Sequence, residues 1–301
     1  CAQGSACGRS HFFNEELLLP YWIEHHAPMF DKAILIDYSS TDRSVDIINR
    51  YAPPTWEVVK SKSWYFDGRE CDKHVMEIEV QEPDAWHIAL TTTEFLVHPN
   101  FRGLLATIDA QSSTLKPRFT RFPAIIMAGN DSVPLDNGRP LLVQRSVYAV
   151  SSSLNEQATR YRRILHAGMT RGTYKYAAGR HGIRFLNGTS PRGVDVPKEF
   201  EQPFIAKYMW TPWPESRNRK RQIGAKIPGS VKPNEGHQHK RVANLSYAGI
   251  NDVRKQKLGG SAFYDLKTFN AGRNYAALHA AYQKAFGSID PPHISLPCLS
   301  P

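Results

Sequence analysis

Residues 33–42 read AILIDYSSTD, a run of four apolar residues followed at once by a polar stretch that contains two aspartates. A short apolar run of this kind is typical of a strand buried on both faces of a parallel sheet, and the polar residues after it predict a loop at its carboxyl end. Residues 86–94, WHIALTTTE, repeat the arrangement. The two stretches therefore predict parallel strands whose loops lie at the same edge of one sheet, where α/β proteins bind ligands.

Helical patterns surround these two strands. Residues 12–26 and 45–51 space their apolar side chains at helical intervals, a third strand fits residues 56–59, and a further helix includes residues 75–79. Alternation of strands and helices predicts right-handed βαβ units. We therefore assign the chain to the α/β class, with a parallel N-terminal half flanked by helices.

The pattern loosens beyond residue 100, although elements are still recognisable. Strands are predicted at residues 119–127, 141–150 and 204–210, and helices at residues 155–165, 215–226, 239–247 and 274–286. No internal repeat or linker marks a boundary, so we expect a single domain over residues 1–301, of which residues 291–301 form an extended tail.

Composition excludes several classes of protein. The chain is 41% hydrophobic and 22% charged, which is typical of a globular protein and not of a disordered one. No Gly-x-Gly-x-x-Gly or Walker loop is present, the four cysteines lack zinc-site spacing, and no apolar run is long enough for a membrane span. We expect a soluble domain, in the cytoplasm or a secretory lumen. The net charge of +10 favours a polyanionic partner.

Three stretches carry a resemblance to a known family: Asn14-Glu15, residues 19–26 (LPYWIEHH) and residues 34–44 (ILIDYSSTDRS). Together with residues 86–96 they resemble the start of a family-2-like or family-92-like (DUF23-type) glycosyltransferase. The resemblance implies a GT-A-like mixed sheet, with a nucleotide-binding half at residues 1–100 and an acceptor-side half at residues 101–290. It also implies transfer of a hexosyl or pentosyl group from a UDP- or GDP-sugar to a glycan or other hydroxyl acceptor.

One motif departs from the family. Its members carry Asp-x-Asp-Glu-Phe where this chain has Thr91-Thr92-Thr93-Glu94-Phe95. The two aspartates hold a divalent cation on the donor diphosphate, whereas threonine hydroxyls supply no negative charge. We therefore expect no required metal, with Mn²⁺ or Mg²⁺ as the alternative, and cationic side chains in place of the ion.

The resemblance and the strand ends together nominate the site residues. We expect the nucleoside and diphosphate to contact Asn14, Glu15, Asp37, Tyr38, Ser39, Asp67, Thr91, Thr92, Thr93, His181, Arg217, Arg219 and Lys220. Arginine suits bidentate phosphate contacts, and the spacing of residues 217, 220 and 221 predicts that they share a helix face. The alternatives are a solvated basic helix, and a helix-capping role for Asp67 and Asp72.

The catalytic carboxylate is assigned to Glu94, as base or as orienting group, with Asp131 and Asp195 as further candidates. Trp64, Trp210 and Trp213 are candidates for stacking on an acceptor sugar or for packing in the core.

Two other functions compete with a glycosyltransferase. A catalytically degenerate relative that binds glycan or nucleotide would explain the missing aspartates. A basic nucleic-acid-binding protein would explain the charge, but the sequence contains no motif of that class, so we expect no nucleic-acid partner.

Overall fold

The structure is a computed structural model that describes residues 4–112, 117–128, 133–145, 147–149, 162–169, 171–186, 188, 193–197, 199–200, 203–209, 212, 215–227 and 263–265. Its strands are β1 (Ala6–Phe12), β2 (Lys32–Asp37), β3 (Glu57–Lys60), β4 (Trp86–Ala89), β5 (Glu94–Val97), β6 (Arg118–Phe122), β7 (Ala124–Ala128), β8 (Val147–Ala149), β9 (Arg163–Ala167), β10 (Tyr174–Tyr176), β11 (Ile183–Phe185), β12 (Phe204–Lys207) and β13 (Phe263–Asp265). Its α-helices are α1 (Leu19–His26), α2 (Ser44–Tyr51), α3 (Gly68–Glu79), α4 (Phe101–Ser112), α5 (Leu141–Gln144) and α6 (Glu215–Ala225). A short 3₁₀ helix spans Ala178–Arg180.

A six-stranded sheet in the order β3-β2-β1-β4-β9-β6 forms the centre of the fold. The strands from β3 to β4 pair in parallel, and β9 is antiparallel to both β4 and β6. A second sheet has the order β13-β8-β7-β12-β5, and β10 and β11 form a hairpin. The α/β class with a parallel N-terminal half is therefore confirmed.

Both faces of the central sheet are covered. One apolar cluster includes Trp22, Leu35 and Trp86, each no more than 2% exposed, and the helices α1 and α4 contribute to it. A smaller cluster on Ile36 and Val75 packs α3 and the β10–β11 hairpin against the sheet. Burial on both faces explains why β2 and β4 appear in the sequence as apolar runs.

β1 is central, yet it has no apolar run, because Arg9 and Ser10 are buried polar residues. The guanidinium of Arg9 donates 2.8 Å hydrogen bonds to the carbonyl of Gly8 and the carboxylate of Glu82, which offset its burial.

Several predicted elements need correction. The strand expected at residues 119–127 is two strands, β6 and β7, separated by Pro123, which cannot donate to a strand ladder. The strand expected at residues 141–150 begins instead as helix α5, which follows Pro140, and only β8 is extended. A helix was expected at residues 155–165, but residues 163–165 belong to strand β9, in which every residue is buried. The helices expected at residues 239–247 and 274–286 and the tail at 291–301 lie outside the described residues.

No helix within the described ranges is both long and apolar enough to cross a bilayer.

Candidate functional site

The candidate site lies where the strand order of the parallel sheet reverses. The chain runs outward from β1 to β2 and β3, and then returns to place β4 on the other side of β1. In open α/β sheets the crevice at such a reversal, outside the carboxyl ends of the strands, is where ligands bind. The loops after β1, β2 and β4 meet there, and they contain most of the residues that the sequence nominates.

The loops after β1 and β2 are joined by side-chain hydrogen bonds. The carboxamide of Asn14 accepts from the amide of Thr41 at 2.8 Å and donates to its hydroxyl at 3.2 Å. Asp37, which is 7% exposed, accepts from the amide of Ser40 at 2.9 Å. Ser39 is exposed, with a φ of 62° that residues other than glycine seldom adopt. Tyr38 is buried, and its hydroxyl contacts the thiol of Cys71.

Glu94 is fully buried among cationic partners. Its carboxylate accepts two 2.6 Å hydrogen bonds from Arg163, a 2.7 Å bond from the ammonium of Lys207, and a 2.9 Å bond from the amide of Thr91. Burial alone would raise the pKa of Glu94, but Arg163 and Lys207 outweigh that effect and hold it well below the usual range. Glu94 is therefore ionised and its oxygens are already engaged.

A second carboxylate, Glu15, pairs with helix α6. Arg219 donates a 3.3 Å hydrogen bond to the Glu15 carboxylate, and the hydroxyl of Thr92 donates to it as well. Burial raises the pKa of Glu15, although Arg219 and Thr92 oppose the shift. This pair fixes α6 over the loops that follow β1 and β4.

Two donor groups on α6 remain open in this crevice, one on Arg219 and the other on Lys220. The Nη2 atom of Arg219 is buried with no hydrogen-bond partner, and the whole residue is only 7% exposed. Within the described part of the chain, the half-buried Lys220 ammonium makes no hydrogen bond or ion pair. Burial, with additional repulsion from Arg219 and Lys207, lowers the pKa of Lys220 to about 7. A buried donor without a partner is costly, so the Nη2 atom of Arg219, with the Lys220 ammonium beside it, suits an anion.

Lys226 fastens the end of α6 to the same loops. Its ammonium donates to the carbonyl of Tyr38 and lies 3.7 Å from the ring centroid of Phe13. Its own carbonyl accepts from the amide of Phe66 at 2.9 Å. The helix is therefore held at Arg219 in its middle and at Lys226 beyond its last residue.

The structure brings together Glu15, Thr92, Glu94, Arg219 and Lys220. Thr91 and Thr93 share a 2.9 Å hydrogen bond between their hydroxyls in the same loop.

His181 lies behind this group, with its ring 3.3 Å from a guanidinium nitrogen of Arg163, and burial and that charge lower its pKa to about 3. The imidazole is therefore neutral at physiological pH.

Other nominated residues have different positions. Asp67 caps α3 by accepting from the amides of Arg69 and Glu70, as the capping alternative proposes. Asp72 does not cap the helix, because its carboxylate is buried and pairs with Arg180 at 3.1 Å.

Residues 217, 220 and 221 lie on α6 at the predicted spacing, but the residues that the helix buries are others. Ser216, Arg219 and Gly224 are its buried residues, whereas Arg221 is exposed and Arg217 is intermediate. Asp195 and Trp64 are exposed, and Asp131, Trp210 and Trp213 lie outside the described residues.

The residues of the Thr91–Glu94 loop do not fit a divalent cation. Threonine hydroxyls are neutral ligands, and the single carboxylate in the loop, Glu94, is saturated by Arg163, Lys207 and the Thr91 amide. No group of three or more His, Cys, Asp or Glu side chains that could hold a metal ion occurs among the described residues.

Sequence reasoning missed Arg163, Lys207 and Lys226. Arg163 and Lys207 reach Glu94 from 69 and 113 residues away along the chain, so no local spacing connects them. The available signal was Glu94 itself, since a buried carboxylate requires cationic partners.

Comparisons with known proteins give distant structural neighbours. No protein-family model matches the chain. No curated protein sequence matches it either. A mannosyltransferase, PcManGT from Pyrobaculum calidifontis in complex with GDP-Man and Mn²⁺, is similar over 94% of this chain and 82% of its own, with 11% identity and a TM-score of 0.37. A UDP-glucose pyrophosphorylase complexed with UDP-glucose is similar over 93% and 99%, with 8% identity and a TM-score of 0.24.

Proposed function

We propose that this protein is a glycosyltransferase of the GT-A kind, which transfers a sugar from a nucleotide-diphosphate donor to a glycan or other hydroxyl acceptor. The observation that carries the proposal lies at the strand-order reversal of a parallel sheet, where the buried Nη2 atom of Arg219 has no hydrogen-bond partner. The Lys220 ammonium beside it makes no hydrogen bond or ion pair with any described residue. A diphosphate is an anion that matches these donors in charge and in hydrogen-bonding capacity.

The cations would act on the leaving group. Transfer breaks the bond between the anomeric carbon and a diphosphate oxygen, and that oxygen keeps the electron pair. The acceptor oxygen forms the new bond to the anomeric carbon, and its proton passes to the departing diphosphate or to water. Arg219 and Lys220 would stabilise the negative charge that develops on the diphosphate, in a crevice where desolvation strengthens electrostatic interactions. These two side chains would take the place of the family's metal ion.

Glu94 is assigned a positioning role and not that of a base. Its oxygens accept four hydrogen bonds, from Arg163, Lys207 and the Thr91 amide, so a proton from an acceptor hydroxyl has no open site on it. Glu94 would hold the Thr91–Thr93 loop and the ammonium of Lys207 in place beneath the donor. The nucleoside would lie toward Asp37, on the loops that Asn14 joins.

A thermal-shift panel tests the proposal. UDP, GDP, CMP and their sugars are each added with and without Mn²⁺, because a ligand that binds only the native state raises its unfolding midpoint. We expect UDP- or GDP-linked compounds to stabilise the protein without Mn²⁺, and Arg219→Met to abolish the shift. Stabilisation that requires Mn²⁺ would contradict a donor site in which the side chains of Arg219 and Lys220 replace the metal ion.

Transfer itself is measured as release of the free nucleoside diphosphate from the stabilising donor, with mixed glycans as acceptors. Binding without release in any acceptor mixture would favour the degenerate, non-catalytic relative. No response to any nucleotide, together with salt-sensitive binding of random oligonucleotides, would favour a nucleic-acid-binding protein.

A further inference from the structure

The charges around the Thr91–Glu94 loop do not balance. Two carboxylates face four cationic side chains in this cluster: Glu15 and Glu94 against Arg163, Lys207, Arg219 and Lys220. The described part of the cluster therefore carries two more positive than negative groups when every group is ionised.

One of the two excess positive charges belongs to the group of Arg163, Lys207 and Glu94, and the other is Lys220. Arg163 and Lys207 pair with Glu94, and Arg219 pairs with Glu15. The charged groups that face Lys220 are Arg219 on α6 itself, Lys207 at the end of β12 and Glu15 after β1. Two of these three are positive, and Glu15 already accepts from Arg219.

We propose that Lys220 makes the site selective for a group with two negative charges. Such a group keeps the Lys220 side chain fully protonated when it binds, so binding is accompanied by uptake of a proton. The identification of that group as the donor diphosphate rests on the proposed function. The anion site itself stands on the unpartnered Nη2 atom of the buried Arg219 and on the ammonium beside it, which pairs with no residue in the described part of the chain.

The direction of the pH dependence follows from the state of Lys220 in the free protein. Its pKa there is about 7, and a bound dianion raises the pKa toward the ordinary lysine value of 10.5. Because the pKa of Lys220 is higher in the complex than in the free protein, the affinity for the dianion is greatest below pH 7 and falls as the pH rises above 7.

Calorimetry of UDP-glucose and GDP-mannose binding measures this coupling, because their diphosphate diesters keep two negative charges throughout the tested range. At pH 7.5, in two buffers that differ in ionisation enthalpy, the wild type should take up about 0.8 proton. Its affinity should fall roughly thirtyfold between pH 6 and 8.5.

Three variants make the test specific. Lys220→Arg keeps a permanent charge and should lose both the proton uptake and the fall in affinity. Lys220→Met should bind weakly at every pH. Asn218→Ala, on the exposed part of the same helix, should behave as the wild type. Equal proton uptake by the wild type and Lys220→Arg would overturn the inference.

Sulfate binding tests this inference separately from the proposed function, because sulfate carries two negative charges but no nucleoside. Nitrate, which carries one negative charge, is the control. The general stabilising effect of sulfate acts on all variants, so the difference between wild type and Lys220→Met reports the site. If sulfate shows the proton-linked pattern and nucleotide sugars do not bind, the anion site stands and the donor assignment fails. If neither nucleotide sugars nor sulfate depends on Lys220, the inference fails.

Discussion

Replacing Glu94 by glutamine should destabilise the whole fold, because it leaves two buried cations without their carboxylate. Arg163 and Lys207 are 2% and 8% exposed in their side chains, and both pair with Glu94. Removing one partner of a buried ion pair costs about 3–5 kcal/mol, a large part of a typical total stability of about 5–15 kcal/mol. The urea midpoint should fall by roughly 1–1.7 M if the denaturant slope is about 3 kcal/mol/M.

Equilibrium urea unfolding at pH 7 is the assay, and Glu16→Gln is the matched control. Glu16 also pairs with an arginine, Arg43, but their side chains are 42% and 48% exposed, so its loss should cost about 0–1 kcal/mol.

The double variant Glu94→Gln with Lys207→Met should recover part of the loss, since it restores the net charge of the buried cluster. A loss below about 1 kcal/mol for Glu94→Gln would refute the reasoning that this carboxylate compensates buried charge.

Two further predictions concern packing and the attachment of α6. Gly8→Ala should lose about 1–3 kcal/mol of stability in the same unfolding assay, since its new methyl group would lie 2.6 Å from the confined ring of Phe30. Gly68→Ala, which has no atom within 4 Å of the added carbon, should be neutral, and equal losses for the two variants would contradict this packing. Lys226→Met removes the hydrogen bond to the carbonyl of Tyr38, so amide hydrogen exchange in the loop after β2 should become faster, and unchanged exchange there would show that Lys226 does not hold the loop.

Where burial covers both faces of a strand, the sequence was sufficient to locate it. β2 and β4 appear as apolar runs with polar loops after them, and their parallel pairing with β1 places those loops at one edge. The position of the candidate site could therefore be predicted before the structure was known. The bounds of β1 could not, because Arg9 is buried through a contact with Glu82, 73 residues away.

The departure at Thr91-Thr92-Thr93 was also visible in the sequence, and with it the expectation that cations replace a metal ion. Which cations take part is a different matter, because helical spacing cannot decide which face of a basic helix is buried. Arg219 faces Glu15 across 204 residues of chain, and Arg221, two positions later, is exposed.

The amino-acid sequence by itself determined the α/β class, the parallel N-terminal half and the loops that form the crevice, since these follow from local patterns of apolar and polar residues. Only the tertiary structure decided that Glu94 is a buried counter-ion and that Lys220 pairs with no carboxylate among the described residues. Charge compensation inside a protein depends on distances through space, and residues such as Glu94 and Lys207 become neighbours only when the strands pair.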